Sequence, residues 1–131
     1  MRSQAMARAQ ALVEFALALP VLLLLMLGVF DAGRVAVAAG SLANGAREGA
    51  RTAAVLYPAE GWESEAAARA RSAMSGLDLS LLNVAVTSET SSGATHVKLQ
   101  TTYTFRPIAP VLTLGWTDFP MTVSSRMRAR Q

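Results

Sequence analysis

The stretch Arg8-Ala-Gln-Ala-Leu-Val-Glu-Phe-Ala-Leu-Ala-Leu-Pro20, continued by Val21-Leu-Leu-Leu-Leu-Met-Leu-Gly-Val-Phe30, decides the fold of this chain. From position 11 to its end, Glu14 is the single charged residue, and about 20 apolar residues are enough for a helix to cross a bilayer core. The sequence therefore predicts a transmembrane helix over residues 11–30. An ionised side chain at the centre of such a helix costs about 2.5–3.5 kcal/mol on insertion scales, so Glu14 predicts a partner charge.

The basic residues before this stretch predict its orientation. Arg2 and Arg8 precede the apolar run without an acidic neighbour. Positively charged flanks stay on the cytoplasmic side of a membrane. We therefore expect the N-terminus in the cytoplasm and the long C-terminal part outside, which in a bacterium is the periplasm or the cell surface.

Three alternatives to a functional transmembrane helix are open. A cleavable signal peptide would use Ala36-Val-Ala38 as its cleavage site, but Asp31 and Arg34 lie between the apolar run and that site. A plain transmembrane anchor leaves Glu14 unexplained. A buried helix of a soluble domain is disfavoured because the run from position 21 to 27 is apolar all round.

The helix is expected to continue beyond the membrane, to about residue 55. Pro20 predicts a kink within it, because proline removes one backbone donor and cannot accommodate the usual carbonyl four residues earlier. After the apolar run, small residues recur in steps of three and four and share one helix face. These are Ala32, Ala36, Ala39, Ala43, Ala46, Ala50 and Ala53. Such a stripe predicts close approach of another helix, supplied by a sister subunit or by the C-terminal domain of the same chain.

Residues 57–131 are expected to form a small domain outside the membrane. Tyr57-Pro-Ala-Glu-Gly61 predicts a break, and Trp62 to Gly76 predicts a second helix with an i,i+4 pair of Glu65 and Arg69. Alternating or β-rich segments then predict three strands. They run over 82–88, 95–105 and 121–129, with a turn over 89–94 and a connector over 111–116. The fold class predicted is α+β, with a three-stranded antiparallel sheet.

Composition excludes several classes of function. The chain has 131 residues, no cysteine and a net charge of +3, and its basic residues are scattered along the sequence. Nucleic-acid binding needs a clustered basic surface, so it is not expected. No phosphate-binding loop, dinucleotide fingerprint or metalloprotease motif is present, and the single histidine, His96, falls on a predicted solvent face. We expect no enzyme activity, catalytic residue, metal, cofactor or small-molecule substrate.

Four segments resemble the TadE family, whose members are small pilin-like components of the tight-adherence (Tad) pilus machinery. They are Ala9-Gln-Ala-Leu-Val-Glu-Phe-Ala-Leu-Ala-Leu-Pro20, Phe30-Asp-Ala-Gly-Arg34, Asn44-Gly-Ala-Arg-Glu-Gly-Ala-Arg51 and, more weakly, Ser124-Ser-Arg-Met-Arg128. The resemblance implies a pilin-like architecture. It marks as motif positions Phe15, Asp31, Gly33, Arg34, Asn44, Arg47, Glu48, Gly49 and Arg51.

The resemblance also implies processing by a prepilin peptidase. In pilin-like proteins the glutamate stands fifth after the cut, which places the cut between Ala9 and Gln10; this chain has Ala9 where such sites usually have glycine. Residues 1–9 would then be a cytoplasmic leader and residues 10–56 the long helix. The new amine of Gln10, on the same chain or on a neighbour, would be the partner charge of Glu14, and a cation at that depth offsets the cost of burying the carboxylate.

The function that follows from the resemblance is structural. It implies a minor subunit of a Tad-type pilus in the bacterial inner membrane. Its partners would be the lipid bilayer, other pilin-like subunits of the Tad system and the prepilin peptidase. The alternative is an uncleaved, membrane-anchored scaffold or adaptor of a secretion complex, which needs neither cleavage nor a role for Glu14.

Overall fold

The structure is a computed structural model that describes residues 2–91, 93–109, 115 and 117–130, with side chains from Met6 onward. The chain folds as two helices followed by a short 3-10 turn and three strands. These elements are α1 (Arg2–Leu56), α2 (Trp62–Ala73), the turn Leu79–Leu81, β1 (Leu82–Ser91), β2 (Ala94–Phe105) and β3 (Phe119–Arg128). The α+β class predicted from the sequence is confirmed.

Two compact units make up the chain. One contains residues 1–33 together with 107–117, and the other contains residues 34–106 together with 118–131. The first unit holds the apolar part of α1. The second holds the rest of α1, α2 and the whole sheet.

The apolar part of α1 carries large side chains that no other described residue of its unit covers. Among them, Leu17 is 71% exposed, Leu25 is 60% exposed and Val29 is 76% exposed. Within the described residues, α1 is the one helix long and apolar enough to cross a membrane. An apolar surface of this extent, exposed all round the helix, suggests a membrane anchor.

The sheet is an antiparallel meander in the order β1-β2-β3. On β2, one face is buried and the opposite face is half-buried along its whole length. The buried residues are Thr95, Val97, Leu99, Thr101, Tyr103 and Phe105. This alternation was predicted for residues 95–105, and it arises because successive strand side chains point to opposite faces. The central strand therefore supplies most of the apolar face of the sheet.

The main core of the second unit lies between α1, α2 and β2. Leu42 and Ala46 of α1 pack with Ala70 of α2 and with Leu99 and Tyr103 of β2. Trp62 belongs to a smaller cluster at the start of α2, and its ring meets the ring of Tyr57 edge-on at 5.2 Å. The small-residue stripe thus divides, because its C-terminal members Ala46, Ala50 and Ala53 are buried while Ala32 and Ala36 are exposed.

Several predicted boundaries differ from the structure. Helix α2 ends at Ala73 rather than at Gly76. The next residue, Met74, has a non-helical backbone and a buried side chain. Strand β1 extends to Ser91 and β2 begins at Ala94, so the predicted turn over 89–94 is too long. The register pairs residues 82–91 with 94–103 continuously, which satisfies backbone groups that a longer turn would leave unpaired. The predicted connector over 111–116 lies outside the described residues apart from Gly115.

Candidate functional site

Glu14 lies on the exposed apolar surface of α1. Its neighbours Leu12 and Phe15 are 70% and 62% exposed. The amide Nε2 of Gln10 donates a hydrogen bond to Oε1 of Glu14 over 3.0 Å. An ionised carboxylate accepts up to about four hydrogen bonds. Gln10 supplies one of them among the described residues, so the carboxylate keeps most of its capacity for a partner outside this chain.

The predicted processing site lies one turn before Glu14. Ala9 and Gln10 are both exposed and both helical, since α1 already begins at Arg2. In a helix, positions i and i+4 are neighbours on one face. In the structure, the side-chain amide of Gln10 contacts Glu14. The partner that the resemblance implies is the backbone amine of Gln10 after cleavage, and that stays a prediction.

Pro20 lies inside α1, whose helix assignment continues on both sides of it. Its side chain is exposed, as are those of the flanking Leu19 and Val21. The helix therefore tolerates the proline within the apolar segment, and the kink expected there stays a prediction.

Asp31 is the first charged residue after the apolar run and is 8% exposed. Its Oδ2 accepts two backbone hydrogen bonds, from the N–H of Ile108 at 2.8 Å and from the N–H of Ala109 at 3.0 Å. Hydrogen bonds to a charged acceptor are the stronger kind and help to offset the burial of the charge. Asp31 therefore holds the loop after β2 against α1.

Arg34 contacts the end of β2. Its guanidinium carbon lies 4.9 Å from the centre of the Phe105 ring, in cation–π geometry, and Nη1 donates to the backbone oxygen of Arg106 at 3.3 Å.

Gly33 is exposed, and a Cβ placed there would meet nothing within 4 Å. No steric constraint therefore requires a glycine at position 33.

Asn44 and Gly49 mark the contact between α1 and α2. The Asn44 amide donates to the backbone oxygen of Ala73 at 3.3 Å, which satisfies a carbonyl at the C-terminal end of α2. A Cβ at Gly49 would lie 2.7 Å from the Cβ of Ala70 and 2.9 Å from the backbone oxygen of Ala66. Glycine at position 49 therefore permits the close approach of the two helices.

Glu48 joins the same two helices by charge. Its Oε1 accepts from Nε and Nη2 of Arg69 on α2, at 3.1 and 2.9 Å, and from Nη2 of Arg51 on α1 at 3.3 Å. The hydrogen bonds from Arg69 hold the pKa of Glu48 below its usual value, and Arg51 lowers that pKa further. The predicted i,i+4 pair of Glu65 with Arg69 is wrong, because Arg69 takes the carboxylate on the neighbouring helix, which it contacts through two donors.

Arg47 faces solvent next to this cluster. Its side chain makes no hydrogen bond or ion pair with the residues that the structure describes. Most motif positions between 31 and 51 thus stabilise the chain itself. Asp31 holds the loop after β2, Arg34 contacts the end of β2, and Asn44, Glu48 and Gly49 lie where α1 meets α2.

Sequence reasoning did not single out Gly45 as a site residue, and it missed the role of Asp31. A Cβ at Gly45 would lie 2.8 Å from the backbone oxygen of Ala70 and would overlap the side chain of Met74. The spacing of four between Gly45 and Gly49 was the available signal, because small residues at that spacing open one face of a helix to a neighbour. No local signal pointed from Asp31 to Ile108.

The described residues offer no group of three His, Cys, Asp or Glu side chains able to hold a metal ion. His96, predicted on a solvent face, is half-buried because it lies on the central strand between Glu89 and Arg128. Its Nδ1 is shielded from solvent and has no hydrogen-bond partner among the described residues.

Comparison with known proteins gives one finding. The family model described as TadE-like protein matches residues 9–51. This confirms the resemblance predicted from the first three segments and suggests a protein associated with the Tad pilus. No curated protein and no solved structure matches the chain significantly.

Proposed function

Because residues 9–51 match the family model of TadE-like proteins, we propose that the chain is a minor, pilin-like subunit of a Tad-type pilus. Its role is structural, in pilus biogenesis and in the adhesion and secretion that such an assembly serves. The proposal assigns it no enzyme activity, cofactor, nucleic acid or small-molecule substrate.

The observation that carries the proposal is the placement of Glu14. The carboxylate stands on the outer surface of an apolar helix, among side chains that are mostly exposed. A charged side chain at such a position costs free energy in lipid, so its presence there indicates a functional contact. Because the described part of its own chain provides one neutral donor, from Gln10, a positively charged group on another subunit is the partner that best offsets this cost.

Cleavage between Ala9 and Gln10 by a prepilin peptidase would create that positive group. The backbone nitrogen of Gln10 would become an ammonium, four residues before Glu14 on its own helix. In a bundle of such helices, the ammonium of one subunit and the carboxylate of the next pair inside the membrane. Each subunit that joins the bundle therefore neutralises one charge of its neighbour.

The membrane in this proposal is the bacterial inner membrane. Residues 11–30 cross it once, with Arg2 and Arg8 on the cytoplasmic side by the positive-inside rule. The unit that contains α2 and the sheet lies outside. Assembly into a pilus would move the apolar segment from lipid into contact with the other pilin-like subunits.

A second candidate is an uncleaved scaffold or adaptor of a secretion complex. The hydrogen bond from Gln10 to Glu14 favours it, because this contact gives the carboxylate a partner in the intact chain. The two candidates differ in the N-terminus of the mature protein, which can be measured.

The N-terminal mass of the protein from native membranes, with and without the prepilin peptidase, tests the proposal. A chain that starts at Gln10 only when the peptidase is present supports the pilin-like subunit. An intact start at Met1 or Arg2 both with and without the peptidase supports the scaffold. A start near Ala39 would show that the apolar run is a signal peptide and would contradict both.

The variant Glu14→Ala tests the role of the carboxylate. We expect normal membrane insertion, because the substitution makes the helix more apolar, and loss of pilus assembly. Glu63→Ala is the matched control, since Glu63 is also an exposed helical glutamate but lies on α2. Pili that assemble normally with Glu14→Ala would remove the proposed mechanism.

A further inference from the structure

The loop between β2 and β3 is attached to α1 at the end of the apolar run. Asp31 directly follows Phe30, the last residue of that run, and its carboxylate binds the N–H groups of Ile108 and Ala109. All of these residues belong to the same compact unit. The backbone of residues 108–109 therefore lies level with the point where α1 leaves its apolar segment.

This loop is apolar in sequence. Residues 107–117 contain no charged residue, whereas the residues on either side, Arg106 and Asp118, are charged. Those two flanking side chains pair with each other over 3.3 Å. The charges thus stay at the base of the loop, and its described start presents an apolar residue: Ile108 is 54% exposed, while Ala109 is 4% exposed.

We propose that the start of this loop, with Ile108 as its contact residue, lies in the headgroup boundary of the bilayer that α1 spans. The protein would then touch the membrane at two places, the transmembrane helix and the loop tied to it by Asp31. The inference rests on the membrane-spanning role of α1 within the proposed function. It requires neither cleavage nor pilus assembly.

The bilayer is the occupant favoured by continuity with the apolar segment of α1. Val29 and Phe30, on the last turn before Asp31, are 76% and 59% exposed and form the end of the surface that faces lipid in the proposed function. Ile108 is held beside the turn that follows. Apolar side chains at this level contact the boundary between headgroups and acyl chains, where an amphipathic element typically buries its apolar side.

Single-cysteine labelling of the full chain in liposomes tests this proposal, because the protein has no cysteine of its own. An environment-sensitive fluorophore is attached in turn to Ile108→Cys, Leu25→Cys and Val55→Cys. Leu25 lies in the apolar segment, while Val55 lies beside Arg51 and Glu65 in the other unit. The exposed fraction of both side chains is 60%, similar to the 54% of Ile108. The liposomes contain phosphatidylethanolamine and phosphatidylglycerol, with nitroxide groups at the headgroup or deep in the acyl chain.

We expect the label at Ile108 to emit at shorter wavelength than the label at Val55 and to be quenched most strongly by the headgroup nitroxide. The label at Leu25 should be quenched most strongly by the deep nitroxide. If the label at Leu25 is quenched and the label at Ile108 behaves like the one at Val55, the loop does not touch lipid. This inference then fails, while the membrane-spanning role of α1 stands. If Leu25 is not quenched, the membrane-spanning role of α1 fails and the inference fails with it.

A second copy of the chain is the other candidate that could cover Ile108, and the same samples distinguish it from the bilayer. In that case, the label at Ile108 would emit at shorter wavelength but would not respond to either nitroxide. Its emission would return to that of Val55 when the protein is diluted in lipid. This result would overturn the proposal in favour of an interface between copies.

Discussion

Replacing Gly49 by alanine should destabilise the unit that contains α2 and the sheet. Alanine in a helix interior is favoured over glycine by about 1 kcal/mol. At this position the added methyl group would lie 2.7 Å from the Cβ of Ala70 and 2.9 Å from the backbone oxygen of Ala66. Neither atom is the end of a flexible side chain, so α1 and α2 must separate, and overpacking of this kind costs about 1–3 kcal/mol. The net expectation for Gly49→Ala is a loss of about 0–2 kcal/mol.

Gly40→Ala is the matched control, because Gly40 lies on the same helix and a Cβ there would meet nothing within 4 Å. This control should gain about 1 kcal/mol from helix propensity alone. The two variants should therefore differ by about 1–3 kcal/mol in free energy of unfolding. Urea unfolding in detergent, followed by the fluorescence of the buried Trp62, measures this difference. Equal stability of the two variants would refute the close helix contact at Gly49.

Three further variants test other contacts. Asp31→Ala should cost about 1.5–3 kcal/mol locally by removing a charged acceptor, and hydrogen exchange at the amides of Ile108 and Ala109 should accelerate; unchanged exchange would contradict the assigned contact. Glu48→Gln should flatten the acid limb of the stability profile. The pKa of Glu48 is lowered in the fold, so its ion pairs stabilise the protein above the ordinary value of 4.5 and are lost as the pH falls through the lower folded value. An acid limb as steep as that of the unsubstituted protein would exclude this role. Leu42→Ala should cost about 2–5 kcal/mol in denaturant, because Leu42 is fully buried, and a near-neutral effect would place that residue outside the core.

The predictions that succeeded depend on local patterns. The alternation over residues 95–105 is a period of two, and it indicated β2 and its buried face without knowledge of any partner. The apolar run indicated one long apolar helix in the same way, because its length and composition are local properties of the sequence. The hairpin turn was predicted too long because Ser, Thr and Gly between positions 89 and 94 are typical of loops, whereas pairing with β2 extends the strand.

Predictions that failed concern partners far apart in the chain. Glu65 and Arg69 have the spacing of a helix pair, but a glutamate 21 residues earlier, Glu48, takes Arg69 through two donors. A charged pair within one helix gains little energy, so a better-placed carboxylate on a packed neighbour easily displaces it. The spacing of residues in the sequence does not indicate which carboxylate that will be.

The sequence by itself determined the apolar segment of α1, the presence of Glu14 within it and the order of helices and strands, because these depend on composition and periodicity over short distances. The tertiary structure decided what the motif residues after Phe30 do. It sets Asp31 on the backbone of Ile108 and Ala109, 77 and 78 positions away, and it places Gly49 where α1 and α2 meet. Contacts of this kind arise only when packing brings distant segments together, and no local pattern encodes that distance.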